Sequence, residues 1–504
     1  MFAFTSLAVF ILLAAMLWII CARSKVNSIL IFSSIVALGA FLHWWSDGTH
    51  WLSASLQIGL LDPISFITKA INLVFLAALQ MTAAIPRFYQ GAGLIGFLFI
   101  IVLVLGIRIP RFYCRFVCPL GALLGLLGRW DIWRIGKSDD RCRECRRCDA
   151  HCEGACAPSR VIQTSECVLC LNCLDRCRHG LISYGARPSA AGEQTGPDLK
   201  RRHVITSIAM GLAAAPMVRL NGSLAANWNS ALIRPPGALS ETDFLSRCIK
   251  CGQCMRICPT NVIQPATWQA GVEGFWTPVL NYRIGTSGCQ HNCVACTHIC
   301  PTAALRSLSV DERMGRNQYA GSGPLRLGMA FVDRGRCLPW AMDTPCIVCQ
   351  ENCPVSPKAI FTRIEYRNIR DGRLILQSAD GNRIVFSDSH WEPGQLSGGD
   401  YFLQWSNWSP VAIAGNTDRE ITLAGTPQKA FPPKPGDTIQ VSLRLQKPYV
   451  DPHRCIGCGI CEHECPVQGR RAIRVSAENE SRHVGHRLVI KRDKTGVPTG
   501  GQGP

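Results

Sequence analysis

Twenty-four of the 28 cysteines in this chain fall into six quartets. Four quartets place three thiols two residues apart and a fourth three residues on: Cys142, Cys145, Cys148, Cys152; Cys167, Cys170, Cys173, Cys177; Cys248, Cys251, Cys254, Cys258; and Cys455, Cys458, Cys461, Cys465. Cys289, Cys293, Cys296, Cys300 and Cys337, Cys346, Cys349, Cys353 are stretched variants. Closely spaced thiolates of this kind ligate paired [4Fe–4S] clusters, three cysteines holding one cube while the fourth reaches to its neighbour. Pro259, Pro301, Pro354 or Pro466 follows the fourth cysteine in four of the quartets, where it suits the first turn of a helix.

Two other thiol chemistries fit less well. Structural zinc sites show pairs of C-x2-C separated by a long spacer, not three thiols within seven residues. Disulfide frameworks belong to small secreted domains, whereas this chain has 504 residues. Six quartets pair into three two-cluster modules, so the expected cofactor is up to six [4Fe–4S] clusters.

The elements that carry the quartets come from the hydropathy. The chain is 47% hydrophobic and only 17% charged, and the apolar excess sits almost wholly before residue 130. Apolar runs at 2–22, 26–45, 64–85 and 91–107 predict a bundle of about four transmembrane helices. His43, Trp44, Trp45, His50 and Trp51 lie where an interfacial belt belongs. The basic residues after the fourth run, Arg108, Arg111, Arg115, Arg129, Arg134 and Lys137, put both ends of the bundle in the cytoplasm. The net charge of +18 is not arranged as a basic stripe with interleaved aromatics, so no nucleic-acid partner is expected. Gly91, Gly93 and Gly96 match the dinucleotide fingerprint but follow no strand, and close helix packing is the better reading.

Cys114 and Cys118, the latter followed by Pro119, come just after the fourth run. At i and i+4 they share one face of a helix or turn. They are a pair of buried thiols, a redox-active pair, or ligands to a metal or cluster. With its apolar runs, this Cys114-x3-Cys118-Pro119 motif and the quartets after it, the segment 1–185 resembles the membrane ferredoxins of the NapH type, whose motif is shared by the NosR and CcoG types. That resemblance implies an accessory role in quinol oxidation for a periplasmic nitrate reductase. Within it, Cys142, Cys145 and Cys148 pair with Cys177, and Cys167, Cys170 and Cys173 with Cys152. An extra Cys156, followed by Ala157 and Pro158, competes with Cys152 for that place.

Arg201 and Arg202 precede an apolar stretch, 204–218, too short for an ordinary membrane helix; it suits a twin-arginine export segment or a further span, with Ser223 to Ala225 as a cleavage site, or else a buried apolar helix. From residue 240 the chain resembles the NapG/MauM type of four-cluster ferredoxin, on the runs Cys248 to Thr260 and Cys455 to Val467. The crossed sets are then Cys248, Cys251, Cys254 with Cys300; Cys289, Cys293, Cys296 with Cys258; Cys337, Cys346, Cys349 with Cys465; and Cys455, Cys458, Cys461 with Cys353. Residues 360–450 have strand character throughout, with a hairpin signal around Asp380 and Gly381, and predict a small β-barrel or sandwich.

The expected architecture is therefore an α+β membrane protein: a transmembrane domain at 1–130, a two-cluster module at 131–185 and a linker at 186–235. A second module with the first half of a third follows at 236–359, then a β-rich insert at 360–450, and the rest of the third module and a tail at 451–504. The expected function is electron transfer between the quinone pool and a redox protein, a cytochrome or reductase, with quinol oxidation as its direction and a quinone as a further ligand. His43, His50 and Asp62 are the candidate proton acceptors near one interface. The alternative is a reductase that matures a metalloenzyme, in which Cys114 and Cys118 carry the chemistry. The expected location is the bacterial inner membrane, with the first module cytoplasmic and the C-terminal half periplasmic.

Overall fold

The computed structural model describes residues 62–79, 86–194 and 229–488, apart from 110, 119–123, 126, 139–141, 143, 144, 155, 272, 273, 388–390, 406–408 and 426–433. The chain divides into two compact units, 1–56 with 202–228 and 57–201 with 229–504, and all described residues belong to the second.

Small sheets frame the quartets. In the first module β1 (Arg134–Lys137) pairs antiparallel with β3 (Ile182–Gly185), and β2 (Ile162–Gln163) pairs parallel with β4 (Glu193–Gln194). Residues up to Gln194, which composition assigns to the linker, thus fold back onto that module. In the C-terminal half β5 (Ile263–Pro265) pairs with β6 (Pro278–Leu280), and β7 (Met329–Val332) pairs with β14 (Ile473–Ser476) across more than a hundred residues of sequence.

The segment between those last two strands forms a closed barrel. Strands β8 (Ile360–Asp380), β9 (Arg383–Phe386), β10 (Tyr401–Gln404), β11 (Val411–Asn416), β12 (Glu420–Leu423) and β13 (Thr438–Val450) join in the order β10-β11-β12-β9-β8-β13. Gly381 opens the two-residue turn between β8 and β9 at φ +58, the sign such a hairpin needs. Alternate residues Leu374 and Leu376 of β8 point inward with Ile384, Phe386, Ile439 and Val441, which is the period-two burial of a barrel wall. β8 and β13 run on beyond the barrel as a long ribbon, with Ile360 opposite Val450 at its far end. There Ile360 and Ala359 pack among Cys337, Cys455, Cys461 and Cys465, so the ribbon is rooted in the thiol loops.

The expected transmembrane bundle is corrected. Among the described residues no helix is long and apolar enough to cross a membrane. The third expected span, 64–85, is described over 64–79, as a helix Pro63–Ala70, a π-helical turn Ile71–Phe75 and a short helix Leu76–Leu79. Its apolar character has another use: Phe66, Ala70, Leu73 and Ala77 are buried in one core with Phe244, Met255, Val262, Trp276 and Tyr282 of the second module. The fourth becomes a helix Ala92–Arg108 of 17 residues, about 26 Å at 1.5 Å per residue against roughly 30 Å of bilayer core. Gly96 sits on it where a Cβ would come within 3.2 Å of Val74, so that glycine serves helix contact. The spans expected at 2–22 and 26–45, the group from His43 to Trp51, Arg201, Arg202, the stretch 204–218 and Ser223 to Ala225 lie outside the described residues.

A buried ion network closes the C-terminal half. Arg234, 2% exposed, donates to Glu241 at 2.5 Å and to the Pro278 carbonyl, while Arg482 reaches the other Glu241 oxygen at 2.7 Å and also pairs with Glu480. Burial alone would raise the Glu241 carboxyl, but the two guanidinium groups override it and hold it at about 2, against 4.5 normally. The stability it supplies is present above its unfolded value and fades as pH falls from about 4.5 towards 2. Glu241→Gln, which leaves Arg234 buried beside a neutral partner, should destabilise the fold by about 3 kcal/mol in denaturant titrations at pH 7. The same variant should show a shallower acid limb below pH 4.5 than the parent.

Candidate metal centres

Each regular quartet is built by the same backbone device. The residue after the second cysteine takes a left-handed conformation and starts a short helix that carries the third. It is Arg146 at φ +56, Leu171 at +60, Gly252 at +78 and Gly459 at +75. The turn throws the second and third thiols towards one centre. Glycine is required at Gly459, where a Cβ would sit 2.1 Å from the Tyr282 ring, and is favoured at Gly252, where one would press on Leu73 at 3.3 Å. The stretched quartets start their short helices differently, from Val294 and Ile347 at φ −127 and −128.

The thiols gather in sets that exchange their fourth member. One cavity is lined by Cys455, Cys458 and Cys461 with Cys353, and another by Cys337, Cys346 and Cys349 with Cys465. A third collects Cys289, Cys293 and Cys296 with Cys258, and a fourth Cys142, Cys145 and Cys148 with Cys177. Cys248, Cys251, Cys254 and Cys300 act on one another's ionisation, which places them as a fifth group.

The sixth group holds five thiols, because Cys167, Cys170 and Cys173 share it with both Cys152 and Cys156. The Cys152 and Cys156 sulfurs are 3.4 Å apart, and Cys156 is 2% exposed. Cys156 also hydrogen-bonds Cys167, which lowers the Cys167 thiol below its ordinary value. Both candidates for the fourth place are therefore present at this site.

The donor set fits iron–sulfur cubes. A zinc ion would draw four thiolates to about 2.3 Å from one point, yet among the described residues no three His, Cys, Asp or Glu side chains converge on a single ion. Four thiols spaced around a cavity suit one ligand per iron at the corners of a cube. Burial pushes Cys148, Cys248, Cys289 and Cys337 up to about 11 and Cys173, Cys349 and Cys458 up to about 12. Cys254, Cys296 and Cys461 go well above the ordinary value, by burial and then by neighbouring thiols. These thiols stay protonated until iron displaces the proton.

Donors offset the negative charge that ligation creates. The Ala330 amide donates to Cys455 at 3.4 Å and the Leu305 amide to Cys300 at 3.5 Å. Arg313, fully buried, points one nitrogen at Cys289 across 3.8 Å and another at the Leu325 carbonyl at 2.9 Å. Cysteine spacing identifies none of these donors: Ala330 and Arg313 lie 125 and 24 residues from the thiols they face, and Leu305 five.

Cys114 and Cys118 stand apart from all six sets, on and just after the helix Phe112–Phe116. Beside Cys114, Tyr113 stacks on Phe66 at 6.0 Å. Burial, then Cys118, Asp62 and Cys114, push its phenol up to about 12.

Comparison with known proteins agrees with the thiol chemistry. A 4Fe–4S binding domain model matches residues 244–264 and 448–469, and a second one matches 90–137, where Cys114 and Cys118 are the only cysteines. The chain is similar to the ferredoxin-type protein NapG of Escherichia coli, 32% identical over 196 residues, which are 38% of this chain and 75% of the relative. It is also similar to the methylamine utilization ferredoxin-type protein MauM of Methylophilus methylotrophus, 29% identical over 198 residues, 38% of this chain and 78% of the relative. An uncharacterized protein of Methanocaldococcus jannaschii is 29% identical over 120 residues, 23% of this chain, and the chain spans about half (49%) of that relative's length. No solved structure matches.

The crossed pairing predicts a non-additive result. Cys465→Ala should remove about four iron atoms per chain, and adding Cys337→Ala should remove no more, because both residues line one cavity. Adding Cys455→Ala instead should double the loss. Iron analysis of purified chains decides this, and the reverse pattern would show that each quartet keeps its own cluster.

Proposed function

From a chain that belongs to the family of the ferredoxin-type proteins NapG and MauM, we propose a relay that takes electrons from quinol and passes them to a redox protein through up to six [4Fe–4S] clusters. The observation that carries the reading is the exchange of fourth thiols: four described cavities each take three cysteines from one quartet and one from another. Each cluster, when bound, accepts and releases one electron. The protein holds neighbouring clusters at fixed separation, since a cysteine of one quartet is a wall of the next. Buried thiols and amide donors exclude water and set the charge that each site tolerates.

The quinol end is supported by the N-terminal part of the described chain. Ile64, Ile67, Ile71, Phe75 and Leu79 are exposed along one side of 63–79, and Phe97, Ile100 and Ile107 are exposed on the helix Ala92–Arg108. Asp62 lies at the start of the first helix and accepts from the Ser65 amide at 3.1 Å, with Tyr113 acting on the same group of side chains. Apolar surface beside a carboxylate is what a quinol headgroup needs, because its oxidation releases protons together with electrons. Asp62 would hold such a proton. The same helical segment leads to Asn72, which donates to the Cys251 carbonyl at 3.1 Å, and to Leu73, which packs on Gly252. The exposed apolar side chains and the contacts to Cys251 and Gly252 thus belong to one helical segment.

Menaquinol or ubiquinol added anaerobically to the oxidised chain should bleach its visible cluster absorbance. Asp62→Asn should slow that bleaching about ten-fold or more, the usual scale for loss of a general base, while bleaching by dithionite stays unchanged. Full reduction by dithionite with none by either quinol would remove quinol as the donor.

A further inference from the structure

Residues 234–240, 306–327 and 480–487 enclose a cleft of about 630 Å³ that no cysteine lines. Its volume is in the range of built ligand sites, but its chemistry is ionic. Five arginines, Arg234, Arg306, Arg326, Arg482 and Arg487, face only two glutamates, Glu312 and Glu480. Arg234 and Arg482 belong to the buried network with Glu241 and form the floor. Arg306, 52% exposed at its side chain and paired with Glu312 at 2.6 Å, the half-buried Arg326, which donates to the His453 carbonyl at 2.7 Å, and the exposed Arg487 form the rim. A concave surface of one sign focuses its field on incoming charge of the other.

The walls of the cleft are one step from three thiol sets. The Leu325 carbonyl accepts from Arg313, whose other nitrogen points at Cys289. The Leu327 amide donates to the carbonyl of Ile456, the neighbour of Cys455. Leu305, which precedes Arg306, donates its amide to Cys300. The chain that continues from Leu488 carries Lys491, Arg492 and Lys494 against Asp493, so its charge has the wrong sign to fill the cleft.

We propose that this arginine-lined cleft is the docking site for a carboxylate-rich segment of the redox protein that exchanges electrons with the chain. The inference rests on the relay reading and gives that relay its point of exchange. Acidic side chains entering over the rim would meet Arg306, Arg326 and Arg487 before the buried floor, and a partner held there lies against the walls of three thiol sets. Such attraction acts on encounter rate and register and weakens with salt.

The test uses the full chain with clusters bound and a hexaglutamate peptide as probe, titrated calorimetrically at low ionic strength. Binding at one site is expected, weakened about ten-fold or more by Arg306→Glu combined with Arg487→Glu, the scale of losing charge pairs at an interface. Arg370→Glu combined with Arg373→Glu, an equal charge reversal on exposed residues of β8, should leave binding unchanged. Equal visible absorbance in all chains shows that they are folded and loaded. Absence of peptide binding, or the same affinity in the cleft variant as in the parent, overturns the proposal. So does saturation by inorganic phosphate without peptide binding, which would make the cleft a small-anion site. The titration reads binding and not electron flow, so a chain that binds peptide yet resists reduction by quinol loses the relay reading and keeps the cleft.

Discussion

The fold depends on thiols that serve a quartet other than their own. Cys353 and Cys465 cross between the two halves of the last module, so neither cavity is complete until residues more than a hundred positions apart have met. The barrel of β8–β13 is inserted in that interval, and its ribbon returns both ends of the insert to one place. With Ile360 paired to Val450, the halves of the module are only a strand spacing apart although the sequence separates them widely. β7 and β14 close the same gap from the other side. In the last module burial holds Cys337, Cys349, Cys455, Cys458 and Cys461 as protonated thiols. Metal ligation and folding are therefore one event at these sites.

Glycine and left-handed backbone are the second consequence. A cubane needs the chain to turn sharply between the second and third thiols, and all four regular quartets do so with positive φ. Where the turn faces solvent, as at Arg146 and Leu171, a side chain is carried in that conformation at some cost. Where it faces Tyr282, only glycine fits, and where it faces Leu73 a Cβ would press on that side chain at 3.3 Å. The choice between them follows from what packs against the turn, and it marks the C-terminal copies as the more deeply enclosed.

The thiol chemistry was legible because it is local: six quartets announce themselves by spacing within 11 to 17 residues each. The turn of β8 into β9 was legible for the same reason, since Asp380 and Gly381 interrupt two apolar-alternating runs. What could not be read was anything decided by a distant partner. The apolar runs at 64–85 and 91–107 satisfy a hydropathy rule for membrane spans, but hydropathy does not say what covers the apolar face. Here Phe66, Ala70 and Leu73 are covered by Met255, Trp276 and Tyr282 of a module that begins about 170 residues later. Lys69 gives the same lesson, because a buried lysine over the Trp276 ring at 4.4 Å is a packing contact that no window of local sequence contains. Arg313 beside Cys289 was equally hidden.

Charge connects these levels. Thiolate-ligated clusters are anionic, and a chain that holds several of them needs positive charge both near the ligands and at the surface. Arg313 supplies the first kind at Cys289, and amides of Leu305 and Ala330 add partial charge at Cys300 and Cys455. The arginines around Glu241 are different, because that carboxylate and Glu480 already neutralise part of them, and they fix the closing segment of the chain on the start of the second module. Once those two arginines are set as a floor, the rim keeps an excess of positive charge, with three arginines against Glu312, which pairs with Arg306. A structural network and a recognition surface thus come from the same cluster of guanidinium groups, the buried members holding geometry and the exposed ones holding the field.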